Sequence, residues 1–453
     1  MADYRPDPQI LTLGGDFYDP VAPARFPQCT PRFLNRRWAE RVGLVLDDDS
    51  WARHFCRFEP LPDNLGEPLA LRYHGHQFRV YNPEIGDGRG FTFAQLRDDR
   101  DRLLDLGTKG SGQTPYSRHA DGRLTLKGGV REVLATEMLE ALGVNTSKSF
   151  ALFETGEALE RGDEPSPTRS AVLTRLSHGH IRIGSFQRLA FLGEVDNLKA
   201  LVRYCLANLY DEPGDDPLRL FDLVNSATAT LAASYMAAGF VHGVLNSDNI
   251  NVTGESFDYG PWRFTPEWDP TFTAAYFDHY GLYAFGRQPE AIHWDLAQFA
   301  GCLTLIAEPP PLSEMLAAWS GRFEDALARA MVRRLGVATS DKDRDLAAAL
   351  ITALASREAQ IDRIFFDWRG GRDPGPERYP GETYRALARA LKGRTARVTH
   401  PYWSDEAPCS MHIDEVEAIW SAIATRDDWQ PFNDKVAAVR RMGEAMAQDE
   451  PAS

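Results

Sequence analysis

The chain has 453 residues, 43% hydrophobic and 25% charged, with a formal net charge of -15 at pH 7. That length exceeds what one hydrophobic core usually organises and predicts two lobes, while the balance of apolar and charged residues is that of a soluble globular enzyme. The acidic balance excludes a general nucleic-acid binder, which needs a basic face to displace counterions from phosphates.

The N-terminus, MADYRPDPQI, is polar and lacks the apolar run of a targeting segment. Residues 1 to 60, rich in Pro and Asp with little periodicity, read as an extended arm packed on the rest. From 61 to 192, β-branched and aromatic runs (FTFAQL, SFALFET, SAVLTRL) alternate with glycine-rich turns, and one helix stands out between Gly129 and Gly143. This pattern predicts a small, mostly antiparallel β lobe with one key helix. In 193–453, after the acidic segment Asp211 to Pro217, helical periodicity dominates, with a surface loop at Gly370 to Glu382. The fold class expected is therefore α+β. The uncharged stretch Leu223 to Ser247 is broken by Asn225, Ser226, Thr228, Thr230, Ser234, Gly239 and Asn246, so it reads as a buried helix from about Phe221 to Ala238 rather than a membrane span. The cysteines at 29, 56, 205, 302 and 409 form no CxxC pair. Neither zinc nor a disulfide framework is indicated, and a reducing, cytoplasmic setting is expected.

Three stretches carry candidate chemistry. Ile85 to Gly90 (IGDGRG) follows an expected strand; its closely spaced Gly86, Gly88 and Gly90 let backbone amides approach phosphate, and Arg89 adds charge. Lys109 lies among glycines and hydroxyls, and Glu132 sits beside the apolar stripe Val130, Val133, Leu134 and Met138 of the following helix, a separation that suits a lysine held over phosphate by a glutamate. Arg175 and Arg182 offer guanidinium forks for phosphate oxygens. His178 and His180, like His74 and His76, stand two apart, but no third ligand is placed to complete a zinc site. Taken singly, these features also fit polar turns, a solvated glutamate and surface arginines.

The third stretch, His242 to Gly260, resembles the catalytic and metal loops of small-molecule kinases with a protein-kinase-like fold. Those begin with His-Gly-Asp; here Val244 takes the Asp position. Asn249 and Asp258 supply a pair of hard oxygen ligands for Mg²⁺ or Mn²⁺, and Asp248 places an acid directly before the Asn. A strand, a turn at Gly254 and a returning strand would bring Asn249 and Asp258 over one site. As an isolated pattern, two polar turns remain an equal reading.

Several long words in order, HGHQF with NPEIGDGR, KGSGQTPYSRHADGR, and HGVLNSDN followed by FDYGPW, are similar to the selenoprotein O (SelO, also called YdiU) family. The resemblance is dense from about residue 60 to 300 and looser beyond. It implies a protein-kinase-like bilobal fold, ATP bound in a flipped orientation, and transfer of AMP to protein hydroxyls with release of pyrophosphate. Carried over by position, it implies Asp248 as catalytic base and Asn249 and Asp258 as metal ligands. It also implies ATP contacts at Gly86, Gly88, Arg89, Lys109, Asp121, Gly122, Arg175 and Arg182, with Glu132 pairing Lys109. The partners expected are protein substrates bearing hydroxyl side chains, the chain itself among them, and neither nucleic acid nor membrane; a monomer is expected. An ordinary kinase or an ATP-binding pseudokinase scaffold are the alternatives, the first lacking an acid at 244 and the second at odds with the retained Lys109, Glu132, Asn249 and Asp258. Three departures from the family stand out: Arg79 in place of a glycine that would shape an ATP-facing turn, Gly128 and Gly129 in place of two serines that would firm the Glu132 helix, and a C-terminus, RMGEAMAQDEPAS, without the terminal cysteine or selenocysteine. Cys302 and Cys409 are then expected to be incidental thiols.

Overall fold

In the computed structural model, which describes residues 2–162 and 164–448, the runs FTFAQL, SFALFET and SAVLTRL are strands of one antiparallel sheet. In chain order the strands are β1 (Tyr18–Pro20), β2 (Thr30–Leu34), β3 (Leu69–Leu71), β4 (Gly75–Gln77), β5 (Val80–Asn82), β6 (Thr92–Arg97), β7 (Leu103–Lys109), β8 (Leu124–Thr125), β9 (Lys148–Leu159) and β10 (Thr168–Ser177). The sheet order is β1-β3-β6-β7-β10-β9-β2, with β8 on β10, while β4 and β5 form a separate hairpin. Successive side chains point to opposite faces. Leu152, Ala171 and Leu173 thus join the larger core, and Ala151, Phe153 and Val172 join an aromatic cluster on the other face.

Residues 1 to 60 do more than lie across this sheet. They supply both of its edge strands, β1 and β2, and two short helices, α1 (Arg36–Arg41) and α2 (Asp48–Phe55), capped by Asn35 and Asp47. Trp51 and Phe55 of α2 meet Phe150 at ring separations of 5.0 and 5.1 Å. Elements this short present one or two turns of pattern, too few for a period to show. The same packing brings Cys29 and Cys56 into a disulfide, with their Cα atoms 6.0 Å apart. That corrects the expectation of free thiols throughout: spacing along a chain does not say which cysteines a fold brings together. Cys205 and Cys302 are buried free thiols and Cys409 is partly exposed.

The opposite face is covered by α3 (Leu126–Ala141), which carries Glu132 and is capped by the Thr125 hydroxyl accepting from Gly128 N at 3.1 Å. Gly128 and Gly129, expected to loosen its start, lie in close packing there. A Cβ on Gly129 would come within 2.5 Å of Leu152, so the missing side chains let α3 settle close on β9.

The remaining helices are α4 (Ile183–Leu192), α5 (Val195–Leu209), α6 (Pro217–Ala238), α7 (Gln288–Leu303), α8 (Pro309–Ala317), α9 (Trp319–Leu335), α10 (Asp343–Ala355), α11 (Ile361–Asp367), α12 (Glu382–Leu391), α13 (Ile413–Arg426) and α14 (Gln430–Gln448). The acidic Asp211 to Pro217 segment ends in the N-cap Asp216 and first-turn Pro217 of α6, a helix closed by Gly239 in the left-handed conformation. α6 delivers the chain into β11 (Phe240–Val241), which pairs with β12 (Arg263–Phe264) and pinches off the loop between them. α14 returns to α3, where Arg440 pairs with the buried Glu137 at 2.7 Å. The last five residues of the cysteine-free C-terminus lie outside the described residues. Among the described residues no helix is long and apolar enough to cross a membrane.

Candidate active site

A cleft of about 240 Å³ opens between the sheet and the loop that follows β11, and Gly86, Gly88, Arg89, Lys109, Arg175, Arg182, Asp248 and Asp258 all line it. The sheet wall is built on the ends of β7 and β10, adjacent antiparallel strands that carry Lys109 and Arg175. Lys109 Nζ donates to Glu132 Oε1 of α3, and both groups are buried. The same ammonium lies 2.8 Å from Asp258 Oδ1, and Arg175 reaches that oxygen at 3.3 Å. Arg182 stacks over the rings of Tyr73 and Phe257, at 4.1 and 5.0 Å, and donates to the Asp248 carbonyl at 3.1 Å.

The glycine turn has a packing reason beside any phosphate. A Cβ on Gly86 would stand 2.4 Å from the Tyr116 ring, and one on Gly88 would stand 2.9 Å from the Tyr116 carbonyl. Segment 111–120 is clamped over this turn by Ser117 Oγ donating to Gly88 O and Thr114 Oγ1 donating to Asp87 O. Tyr116, Arg118 and Asp87 therefore join the lining; they stand inside the words KGSGQTPYSRHADGR and NPEIGDGR, to whose other residues the roles were assigned.

The loop wall departs from the expected hairpin. Gly254 does make the turn, with φ +65°, but the flanking chain pairs elsewhere: Asn251 bridges to Arg182 and Ser256 to Thr146. His242 is buried and donates from Nε2 to the Phe257 carbonyl at 2.9 Å, which ties the two ends of the loop together; burial lowers its pKa, so the ring is neutral. Asn249 donates its amide to the Val244 carbonyl at 2.9 Å, leaving its oxygen as the acceptor atom. Asp258 sits at φ +62°, a left-handed conformation that Asp adopts more readily than most residues. Burial opposes its charge, but Lys109, Arg175 and Arg89 outweigh that and hold the carboxyl well below the usual range.

Asp248 stands in the opposite condition. Among the described residues its Oδ1 has no hydrogen-bond partner, and burial pushes the carboxyl up to about 6 against the pull of Arg182. Its position is set by a closed ring of hydrogen bonds. His76 N donates to Ser247 Oγ at 2.7 Å, Ser247 Oγ to Gln187 Oε1 at 2.6 Å, and Gln187 Nε2 meets His76 Nδ1 at 2.6 Å. The HGHQF word thus holds the turn that carries Asp248. Gln187, on α4, has no motif to betray it.

Two expected contacts lie elsewhere. Asp121 lines a separate concavity and pairs with Arg161 at 2.8 Å, and Gly122 packs on the Gly112 backbone. Arg79 turns away from the cleft to pair with Glu290 at 2.9 Å and stack over Trp294. The paired histidines have structural partners: His74 meets Tyr81, His180 meets Asp105, and His178 N donates to Glu255. Among the described residues no three His, Cys, Asp or Glu side chains converge as a metal cluster. A carboxylate such as that of Asp258 and an amide oxygen such as that of Asn249 are donors of the kind Mg²⁺ and Mn²⁺ accept, with much of the coordination coming from phosphate and water.

Residues 2–375 match the family model described as protein adenylyltransferase SelO. A protein nucleotidyltransferase YdiU of Gloeobacter violaceus is 42% identical over 462 residues, covering 96% of this chain and 95% of that protein. Those of Synechocystis sp. and Synechococcus elongatus are 39% and 46% identical, over 95% and 73% of this chain and 96% and 68% of their own lengths.

Proposed function

The chain belongs to the SelO family, and from that premise we propose that it is a protein adenylyltransferase moving AMP from ATP to Ser, Thr or Tyr hydroxyls of proteins. The observation that carries this reading is the pairing of a buried, unpartnered Asp248 with a cleft lined by Arg89, Lys109, Arg175 and Arg182, while position 244 is valine.

Asp248 accepts the proton of the attacking hydroxyl as its oxygen bonds to the α-phosphorus. The bond from that phosphorus to the bridging oxygen breaks, and the electron pair leaves on pyrophosphate. Lys109, positioned by Glu132, and the three arginines bind the two terminal phosphates and stabilise the charge that departs with them. Arg182 also fixes the backbone of Asp248, so one guanidinium couples phosphate binding to the base. Asn249 and Asp258 would hold Mg²⁺ or Mn²⁺, which neutralises phosphate charge when bound. Asp121 and Gly122 stand outside the cleft and take no part in this reading. The small lobe, with residues 1 to 60 built into its sheet, gives way near residue 192 to the helical lobe in a protein-kinase-like bilobal arrangement, the working form is a monomer, and the setting is cytoplasmic, where ATP is supplied.

The test is positional labelling. Label on the α-phosphorus of ATP enters protein with one adenylyl mass per site and pyrophosphate in step; label on the γ-phosphorus does not. Incorporation of γ label at a comparable rate, lost in Asp248→Ala, would restore the kinase alternative. Binding of ATP with no transfer to any protein, the chain itself included, would leave the scaffold.

A further inference from the structure

Beside the catalytic turn, the loop between β12 and α7 exposes three aromatic side chains, Tyr276 at 79%, Phe277 at 41% and Tyr280 at 94%. Exposed rings in a loose loop would mean little, but this loop is built. Asp278 is buried and accepts from Leu282 N and Tyr283 N, both at 2.8 Å. Arg287 donates to the carbonyls of Tyr280 and Gly281 and pairs with Glu290, which pairs in turn with Arg79 of the β4–β5 hairpin. The fold thus spends a buried carboxylate and a chain of ion pairs on holding two tyrosine rings in water and a third ring, Phe277, partly in it.

The ledge is joined directly to the turn that carries Asp248. Tyr283 OH donates to Asn246 Oδ1 at 2.6 Å, and Phe78 N donates to the same oxygen at 3.0 Å. The Phe78 ring lies 5.1 Å from that of Tyr283 and 5.9 Å from that of Phe277. Gly243 has Ala274 against it, where a Cβ would approach to 3.1 Å. Gly243 and Asn246 lie five and two residues before Asp248, so the ledge adjoins the turn that carries that carboxylate.

We infer that Tyr276, Phe277 and Tyr280 form the docking surface for the acceptor polypeptide, which they grip through an apolar side chain close to the modified hydroxyl. This inference rests on the adenylyl-transfer reading. The chemistry of the occupant follows from the ledge: Asp278 is turned inward as a cap, and Arg79, Glu290 and Arg287 neutralise one another, so aromatic surface is what remains to be matched.

The test uses the full chain, ATP labelled at the α-phosphorus with Mg²⁺, and a library of short synthetic peptides with a central Ser, Thr or Tyr and varied flanking positions. The unaltered protein selects an apolar residue at a fixed distance from the hydroxyl. The triple variant Tyr276→Ala, Phe277→Ala, Tyr280→Ala loses that selection and raises the peptide KM about tenfold, a loss ordinary for removing aromatic anchors, with ATP affinity by calorimetry unchanged. The variant Tyr276→Phe, Tyr280→Phe keeps it, which separates docking from modification of the tyrosines themselves. Selection unchanged in the alanine variant, or lost together with ATP affinity, overturns the proposal. So does a dimer of the unaltered protein in sedimentation that dissociates in the alanine variant, which would assign the ledge to a second copy. Should no peptide take label, the transfer reading has failed, and fluorescence anisotropy of the same peptides with ATP present still decides: binding abolished by the alanine variant upholds the ledge, and binding unchanged sinks it.

Discussion

The sheet wall of the cleft presents Arg89, Lys109, Arg175 and Arg182, whereas the loop wall presents Asp248 and Asp258. The cations stand on or beside strands buried on both faces and, in the case of Lys109, are braced from behind by Glu132. The acids stand on a loop that owes its shape to bonds with other segments, through His242, Arg182 and the ring of His76, Ser247 and Gln187. A rigid basic wall suits polyphosphate in the ground state. A buried carboxyl with one oxygen unpartnered suits a proton that arrives only during reaction. Asp258 crosses this division: it lies on the loop wall but is held by Lys109 and Arg175 of the sheet wall.

Asp258→Ala is therefore the largest perturbation. It removes the proposed metal ligand and leaves Lys109 and Arg175 facing each other without their shared anion, so metal-dependent ATP binding and transfer are both lost; calorimetry with ATP and Mg²⁺ or Mn²⁺ measures the first. Asp248→Ala sharpens the comparison. It keeps ATP affinity and lowers the transfer rate by about 10³-fold, within the range for a general base. Equal loss of binding in these two variants would show the walls to be wrongly divided.

Lys109→Ala comes next, with activity down about 10²-fold as the terminal phosphates lose an anchor. Glu132→Ala follows more mildly, leaving the lysine unpositioned. Lys109→Ala strands the buried Glu132 at a cost of about 3–5 kcal/mol in stability, whereas Glu132→Ala leaves the lysine its second carboxylate, Asp258. Thermal melts thus show the double variant more stable than Lys109→Ala, and its activity is no worse than that of Lys109→Ala. Additive losses in the cycle would dissolve the proposed unit. Gln187→Ala is the smallest effect: it opens the ring beneath Asp248, lowers the rate constant about tenfold and leaves ATP affinity intact, while a matching loss of affinity would make it a general packing residue.

Legibility in the sequence tracked how local each feature is. α3 and α6 were legible as long stretches that end at a glycine, and the observed spans, Leu126–Ala141 and Pro217–Ala238, lie close to the expected ones. Residues 1 to 60 concealed two edge strands and two helices because a three-residue strand has no period to read. Gly129 was read as a loosening residue when its lack of a side chain brings α3 close to Leu152, a contact between positions that no window along the chain compares. The disulfide between Cys29 and Cys56 was hidden for the same reason.

By itself the sequence determined the chemical inventory: which acids, amides and cations the chain owns, their order, and the valine at 244 where the kinase loops it resembles have aspartate. Side-chain identity and short spacing are encoded locally, so these were readable without coordinates. Only the tertiary structure decided which of them meet. It drew Lys109, Arg175 and Asp258 onto one oxygen and left Asp121 with Arg161 outside the cleft. It buried Asp248 with an unpartnered oxygen and set Tyr276, Phe277 and Tyr280 in water beside it. Burial, desolvation and cross-chain hydrogen bonding depend on distances between segments far apart in sequence, and packing sets those distances.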